Sequence, residues 1–422
     1  MTLNRTIAPA SHPLEIINFP NPQKHVLQNG IETYCISLGD QDVFKLELIL
    51  PSGAIHAGKA GVSGLTAQML KRGTLSLNSL ELNEAFDYYG AYWDIQNHLD
   101  TASITIYSLC KHLQNLLPLL IDILQNSKID EQDFNQELTI EIQKNKHNWE
   151  KTSFAANQYF RQHLFEKDPY GRISNEQSLQ QIQHSDVSTF YKKHWKGAKP
   201  IVIISGKIAE NEINLLDQTI GKIPLESSSE LDIPSLLTGS SKQFYTDKQN
   251  ALQTSIRFGK LGITRNNPDY FKFTVLNTLL GGFFGSRLQK NIREEKGFTY
   301  GVSSSNVALQ RAAYWVVGTD VNKENANQTV DEIRKEIKTL QTELVKEDEL
   351  DLVKNYLMGS FIGELTQAFE ISEKVKILCL ENLPSNFYNN FQEQILACTS
   401  EDILRLANTH LSLDEMLDVR VG

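Results

Sequence analysis

The sequence has few cysteines and no block of one charge sign. Its four cysteines lie far apart and form no Cys-x-x-Cys pair, which argues against a zinc ribbon or a thioredoxin-like site. The 41 basic and 51 acidic residues are interspersed, and no lysine and arginine block could neutralise a run of phosphates. We therefore expect reduced, buried thiols, and neither nucleic acid nor a membrane surface as a partner.

Long apolar runs are also missing. The first residues lack the apolar segment of a signal peptide. The most apolar stretch, residues 113–124, is interrupted by polar residues and a proline, and is shorter than the roughly 20 residues that span a bilayer. We expect a cytoplasmic protein. A hydrophobic content of 40% with 22% charged residues is typical of a globular chain.

The chain of 422 residues fits two domains of similar size. Strand patterns alternate with helical patterns in both halves, and aligning Gly90 with Gly297 also aligns the flanking helix and strand. We predict an α+β fold: a tandem duplication of two similar domains, each a mainly antiparallel sheet covered by helices. The polar, turn-rich stretch 226–242 is predicted to link domain 1–225 to domain 243–422.

Three segments resemble the pitrilysin/insulinase family of zinc peptidases, which includes the mitochondrial processing peptidases. Residues 61–74 keep the family's Gly…Met…Gly-Thr frame around its zinc motif, and residues 168–171 resemble a later His-Pro-Tyr-Gly element. Residues 277–300 resemble the second domain's Gly-Gly-x-x-Ser-Arg-Leu…Arg-Glu-x-x-Gly-x-x-Tyr signature. The resemblance covers nearly the whole chain and implies the family's duplicated fold.

The zinc motif itself, His-x-x-Glu-His, has lost its donors. Its histidines would share one helix face and bind zinc, while its glutamate would activate the bound water. Those positions hold Gly64, Ala67 and Gln68. Glycine and alanine have no side-chain donor, and a glutamine amide is a poor zinc ligand. We predict no zinc in this chain, and the resemblance implies zinc in a partner subunit.

Replacement ligands are not evident in the sequence. The family's third ligand is a glutamate that would fall near Glu137 or Glu141, which we interpret as part of a solvated helix face. None of the ten histidines has another histidine four residues on. The nearest pair, His184 and His194, falls on different predicted elements, and we interpret each as a surface or hydrogen-bonded histidine.

The resemblance implies a catalytic role in trans for Arg293 and Tyr300. A guanidinium can anchor peptide carbonyls or a carboxylate, and a tyrosine hydroxyl can donate to the oxyanion that forms on the scissile carbonyl. The pattern alone leaves alternatives open. Phe298, Tyr300 and Val302 alternate as a core strand face would, and Arg293 could end a solvated helix, where a cation is favourable.

The glycine-rich run 281–285 lacks the Gly-Lys-Ser/Thr of a phosphate loop, which argues against nucleotide binding. It resembles the family's glycine loop, which can contact substrate in related subunits. Gly281, Gly282 and Gly285 are therefore candidate substrate-binding residues. A plain turn between two helices is an equal alternative.

The leading hypothesis is a non-zinc-binding subunit of a pitrilysin-type peptidase, inactive alone. It would pair with a zinc-bearing homologue as a heterodimer, or form a homodimer, and supply substrate-binding and transition-state-stabilising residues for peptide hydrolysis. A non-enzymatic scaffold or peptide-binding module, similar to the family's core proteins in respiratory complexes, is a second class. An independent hydrolase with unrecognised ligands is a third.

Overall fold

A computed structural model describes residues 16–225 and 242–422. The predicted linker lies outside these residues except for Lys242, so its boundaries stay a prediction. The strands of the described residues are β1 Gln23–Val26, β2 Glu32–Ser37, β3 Val43–Leu50, β4 Tyr92–Asn97, β5 Ala102–Leu109, β6 Ile201–Gly206, β7 Gln243–Thr246, β8 Gln253–Leu261, β9 Thr299–Ala308, β10 Ala313–Asn322 and β11 Leu417–Val421.

Helices occupy most of the remaining chain in both halves. The α-helices are α1 Val62–Met69, α2 Ser79–Tyr88, α3 Leu113–Asn126, α4 Glu131–Trp149, α5 Thr152–Phe165, α6 Glu176–Gln180, α7 His184–Tyr191, α8 Glu210–Thr219, α9 Tyr270–Asn277, α10 Ala326–Thr342, α11 Glu347–Gly363, α12 Ala368–Leu380, α13 Phe387–Leu396 and α14 Ser400–His410. Among the described helices, none is both long enough and apolar enough to cross a membrane.

The two sheets confirm the tandem duplication. The first has the order β1-β2-β6-β3-β5-β4 and the second the order β7-β11-β8-β10-β9. With the extra edge strand β1 set aside, the two orders are the same by position in the chain. One pair in each sheet is parallel, β2 with β6 and β7 with β11, and the others are antiparallel. Gly90 and Gly297 also match, since both have a positive φ, 59° and 64°.

Each sheet packs its own helices against one face and borrows a helix from the other half for its second face. Ile256 and Phe258 of β8 point into the core of the second half, while Arg257 between them points toward α5 of the first half. In the same way α12 of the second half packs on β2 and β6. This exchange makes the two halves one packed unit and places α5 over the second sheet.

A buried cluster of charges joins the halves at α12. Lys45 and Glu47 of β3 are almost fully buried and lie 3.2 Å apart. Lys376 of α12 lies 2.9 Å from Glu47 and 2.6 Å from Glu373, and Glu373 also pairs with Lys45. Because each charge has an opposite partner, the cost of removing it from water is offset.

Candidate functional site

The three substituted positions of the zinc motif lie on α1. Ala67 is buried, and Gly64 and Gln68 are half-buried. A Cβ added to Gly64 would lie 3.9 Å from the side-chain nitrogen of Asn97 on β4, so the helix packs closely against this edge strand. In residues 16–225 and 242–422, no group of three histidine, cysteine or acidic side chains is arranged to hold a metal ion. The donor set therefore does not fit the zinc that the family resemblance implies.

The Arg72 guanidinium lies beside the position where the family's third zinc ligand would be. Arg72, four residues after Gln68, forms an ion pair with Glu137 of α4, one of the two glutamates near the family's third-ligand place. The two side chains are 28% and 12% exposed. They line a cavity of about 240 Å³ together with Gln68, Lys71, Ser79, Asn83 and Trp93.

The expectation of a solvated helix face is wrong for both glutamates. Because α4 packs on α1, Glu137 and Glu141 are half-buried. Burial raises the pKa of Glu141 above its ordinary value, and the negative charge of Glu137 adds to the rise while Lys144 opposes it. The carboxylate of Glu137 is thus neutralised by a side chain of the same protein, where a zinc peptidase would use the metal.

The histidine nearest to His194 in space is His56, not His184, its nearest histidine in the sequence. His184 makes a 2.8 Å contact between its Nε2 and the carbonyl oxygen of Ile129, as expected for a hydrogen-bonded histidine. His194 is buried and packs against the ring of Phe190, and its own ring lies 5.8 Å from that of His56. Burial lowers the pKa of His194 to about 4, and the nearby His56 adds to the shift. No spacing in the sequence links His56 to His194.

Arg293 and Tyr300 lie side by side at the surface of the second half. Tyr300 is 95% exposed, so the alternative that it belongs to the core is wrong. The Arg293 guanidinium carbon lies 5.9 Å from the centre of the Tyr300 ring and 4.4 Å from that of Phe284, which is 66% exposed. Arg293 lies in the last turn of the helical segment Gln289–Glu295, so the helix-end alternative stays open, and its guanidinium also lies close to two exposed aromatic rings.

Phe284 was missed by sequence reasoning. It lies inside the glycine run 281–285, and an aromatic residue that interrupts a glycine loop was the available signal. Its ring gives Arg293 a second stacking surface, which restricts the guanidinium before any ligand arrives.

A β-bulge turns Tyr300 outward. Thr319 of β10 pairs with Val302, but Val321 pairs with Thr299, so Tyr300 and its neighbour share one place opposite β10. The strict alternation of β9 is broken there, and Tyr300 is exposed although Val302, two residues on, is buried. The hydroxyls of Thr299 and Thr319 both donate to the carbonyl of Gly301, at 2.9 and 3.0 Å, and stabilise the bulge.

Two of the three candidate glycines are constrained by packing. A Cβ on Gly281 would lie 2.7 Å from the backbone nitrogen of Ser304, so this glycine lets the helical turn approach the edge strand β9. A Cβ on Gly285 would lie 2.8 Å from the ring of Phe283. Gly282 is exposed. A contact of these glycines with substrate stays a prediction.

A cavity of about 430 Å³ lies beside Tyr300, between α5 and the strands β8, β10 and β9. We call it the β9 groove. Its lining consists of Asn157, Gln253, Arg257, Thr299, Tyr300, Gly301, Ser303, Ser305, Val316, Gly318, Thr319 and Asp320. Small side chains form its floor. It shares no lining residue with the cavity at Gln68.

Arg257 is held in place on the wall of this groove. Its Nε donates to Oδ1 of Asn157 at 2.6 Å, and its guanidinium lies 3.8 Å from the carboxylate of Asp320. Burial lowers the pKa of Arg257, and the charge of Asp320 opposes this change. Arg257 is therefore a structural cation with its counter-ion.

Comparison with known proteins agrees with this architecture. Residues 181–357 match the family described as the peptidase M16 inactive domain. The chain is 22% identical over 399 residues to the Helicobacter pylori protein named non-peptidase homolog YmxG, covering 89% of this chain and 90% of that protein. It is 22% identical over 391 residues to mitochondrial-processing peptidase subunit beta of Rattus norvegicus, covering 87% and 78%.

A solved structure shows the same fold. The crystal structure of a peptidase M16 inactive domain from Pseudomonas fluorescens superposes with a TM-score of 0.86 at 22% identity, covering 96% of this chain and 98% of that one. The predicted duplicated α+β fold is confirmed by this likeness.

Proposed function

We propose that this chain, whose residues 181–357 match the peptidase M16 inactive domain, is a non-zinc-binding subunit of an M16, or pitrilysin-type, peptidase that completes the active site of a zinc-bearing homologue. It would form a heterodimer with that homologue and bind peptide. A relative that is named a subunit of a processing peptidase and another that is named a non-peptidase homologue support this proposal.

The observation that carries the proposal is the exposed arrangement of Tyr300 beside Arg293. A tyrosine that is almost fully exposed gains nothing from burial, and the bulge that exposes it interrupts the pairing of β9 with β10. Such a local departure from regular structure is typical of functional positions. In the proposed complex, the Tyr300 hydroxyl donates to the oxyanion, and Arg293 anchors a carbonyl or carboxylate of the peptide.

The ion pair of Arg72 with Glu137 supports placing the metal in the partner. Zinc at α1 would need two new imidazole ligands and would have to displace a guanidinium from Glu137. In the proposed complex the partner holds zinc through its own His-x-x-Glu-His motif, and the metal activates water there. This chain supplies side chains only.

The test is to co-purify the chain with a homologue that has an intact His-x-x-Glu-His motif and to follow cleavage of a quenched fluorescent peptide. We expect Tyr300→Phe to lower kcat by about 10²-fold, as for loss of one oxyanion donor, and Arg293→Ala mainly to raise KM. Matched controls are Tyr88→Phe, an 83% exposed tyrosine on α2, and Arg334→Ala, whose guanidinium lies 4.7 Å from the Phe258 ring.

Unchanged rates for both site variants would contradict the catalytic role. If, in addition, the wild-type chain binds the homologue without raising its rate, the scaffold alternative explains the protein better.

A further inference from the structure

Arg161 of α5 is a half-buried cation that has no carboxylate partner among the described residues. Its guanidinium donates to Oε1 of Gln158 at 2.8 Å, and no acidic side chain of the described segments lies within ion-pair distance of it. Burial lowers the pKa of Arg161, and no nearby carboxylate counters this effect. Arg257 of β8, which contacts the same helix through Asn157, has Asp320 as its counter-ion. An uncompensated cation is costly to bury, so Arg161 needs an explanation.

Tyr314 of β10 provides a second unused donor beside Arg161. Its hydroxyl makes no hydrogen bond to any described residue, although the side chain is half-buried. Its ring lies 5.9 Å from that of Phe160, the residue before Arg161, so Tyr314 packs against α5 beside Arg161. Burial raises the pKa of Tyr314, and the positive charge of Arg161 opposes that rise. The rings of Phe160 and Phe165 lie 5.9 and 6.2 Å from that of Tyr314 and hold it in place.

Neither donor lines the β9 groove, but each is a near neighbour of a residue that does. Asn157, one helical turn before Arg161, lines the groove, and so does Val316, which follows Tyr314 by two residues and points to the same side of β10. Tyr300 lines the groove as well. Tyr314 pairs with Val307, seven residues beyond Tyr300 on β9, which corresponds to roughly 23 Å of extended strand. The stretch of β9 from Tyr300 to Val307, opposite Tyr314, therefore has the length of an extended peptide of about seven residues.

We propose that Arg161 and Tyr314 form a carboxylate-binding subsite for a peptide that lies along β9 with its other end near Tyr300. The guanidinium would donate two N–H bonds to the carboxylate and the tyrosine hydroxyl a third. The carboxylate is either the C-terminal group of the peptide or an aspartate or glutamate side chain. The inference rests on the proposed function in that the bound peptide is the partner's substrate.

The experiment uses the full chain without any partner, and titrates three N-acetylated nonapeptides of alanine, serine and leucine by calorimetry. The first has a free C-terminal carboxylate, the second a C-terminal amide, and the third an amide with one central glutamate. We expect at least one carboxylate peptide to bind about tenfold more tightly than the plain amide, as is usual for a charge-assisted hydrogen-bonded pair. The first and third peptides distinguish the two sources of carboxylate.

Two variants of the subsite and one control complete the design. Arg161→Met should remove the preference for carboxylate, and Tyr314→Phe should reduce it, while Arg334→Met should leave it unchanged. The melting temperature adds an independent measure. If Arg161 is an uncompensated cation, the melting temperature of Arg161→Met should equal that of the wild type or exceed it. If Arg161 has a structural role instead, its removal should lower the melting temperature.

The proposal is overturned if neither carboxylate peptide binds more tightly than the amide, or if Arg161→Met keeps the full preference. A preference for carboxylate in a chain that does not activate any zinc-bearing homologue would support the subsite and contradict the proposed function. Activation of the homologue without such a preference would do the reverse.

Discussion

Replacing Arg72 with alanine tests whether its guanidinium substitutes for a metal beside Glu137. The change leaves a half-buried carboxylate without its counter-ion. Breaking a fully buried pair in this way costs about 3–5 kcal/mol, whereas an exposed pair is worth at most about 1 kcal/mol. Because the two side chains are 28% and 12% exposed, we expect a loss between these limits, about 2 kcal/mol in the free energy of unfolding.

Urea unfolding at pH 7 measures this loss, and a double-mutant cycle with Glu137→Gln isolates the pair. We expect a coupling energy of about 1–2 kcal/mol between Arg72 and Glu137. The more exposed pair of Lys59 with Asp186 serves as a control, and Lys59→Ala should cost less than about 1 kcal/mol. A coupling energy for Arg72 with Glu137 below about 0.5 kcal/mol, as for an exposed pair, would refute the reasoning.

Two further predictions concern packing and pH. Gly281→Ala should lower the free energy of unfolding by about 1–3 kcal/mol, because the new Cβ would meet the backbone of Ser304. Gly58→Ala is the control and should cost almost nothing, since Gly58 has open space around it. Equal effects of the two changes in urea unfolding would contradict the packing role of Gly281. The pKa of His194 is lowered from 6.5 to about 4 in the folded state. As the pH falls, the unfolded chain therefore binds a proton at His194 before the folded chain does, which favours unfolding. We expect about 2 kcal/mol of stability to be lost between pH 7 and pH 5. His194→Gln should remove this part of the pH dependence, and an unchanged pH profile would show that His194 does not cause it.

The fold could be predicted from the sequence because it is encoded by local patterns that occur twice. Gly90 follows α2 and Gly297 follows the helical segment Gln289–Glu295, both in the left-handed conformation that glycine adopts easily. The strands beside them occupy the same place in each sheet. The exchange of α5 and α12 between the halves could not be predicted. Each of these helices packs against the sheet of the other half, and periodicity says only that a helix has an apolar face, not which sheet will cover it.

The candidate site was predicted less completely. Resemblance identified Arg293 and Tyr300. Regular alternation along β9 would place Tyr300 on the same side as buried Val302, but the bulge inserts one extra residue between Thr299 and Val302, and a two-residue repeat cannot predict such an insertion. Arg72 and Glu137 are 65 residues apart in the chain, so no spacing rule linked them. Such pairs depend on tertiary packing, which the sequence expresses only through the whole fold.

The most direct test of the central claim is a titration of this chain into a fixed concentration of its zinc-bearing homologue, with peptide hydrolysis as the readout. The account predicts no hydrolysis by this chain alone, and a rate that rises until the two chains are equimolar and then stays constant. The same titration with the Tyr300→Phe variant should saturate at the same ratio but at a much lower rate. Hydrolysis by this chain alone, or a partner rate that does not change with added chain, would contradict the account.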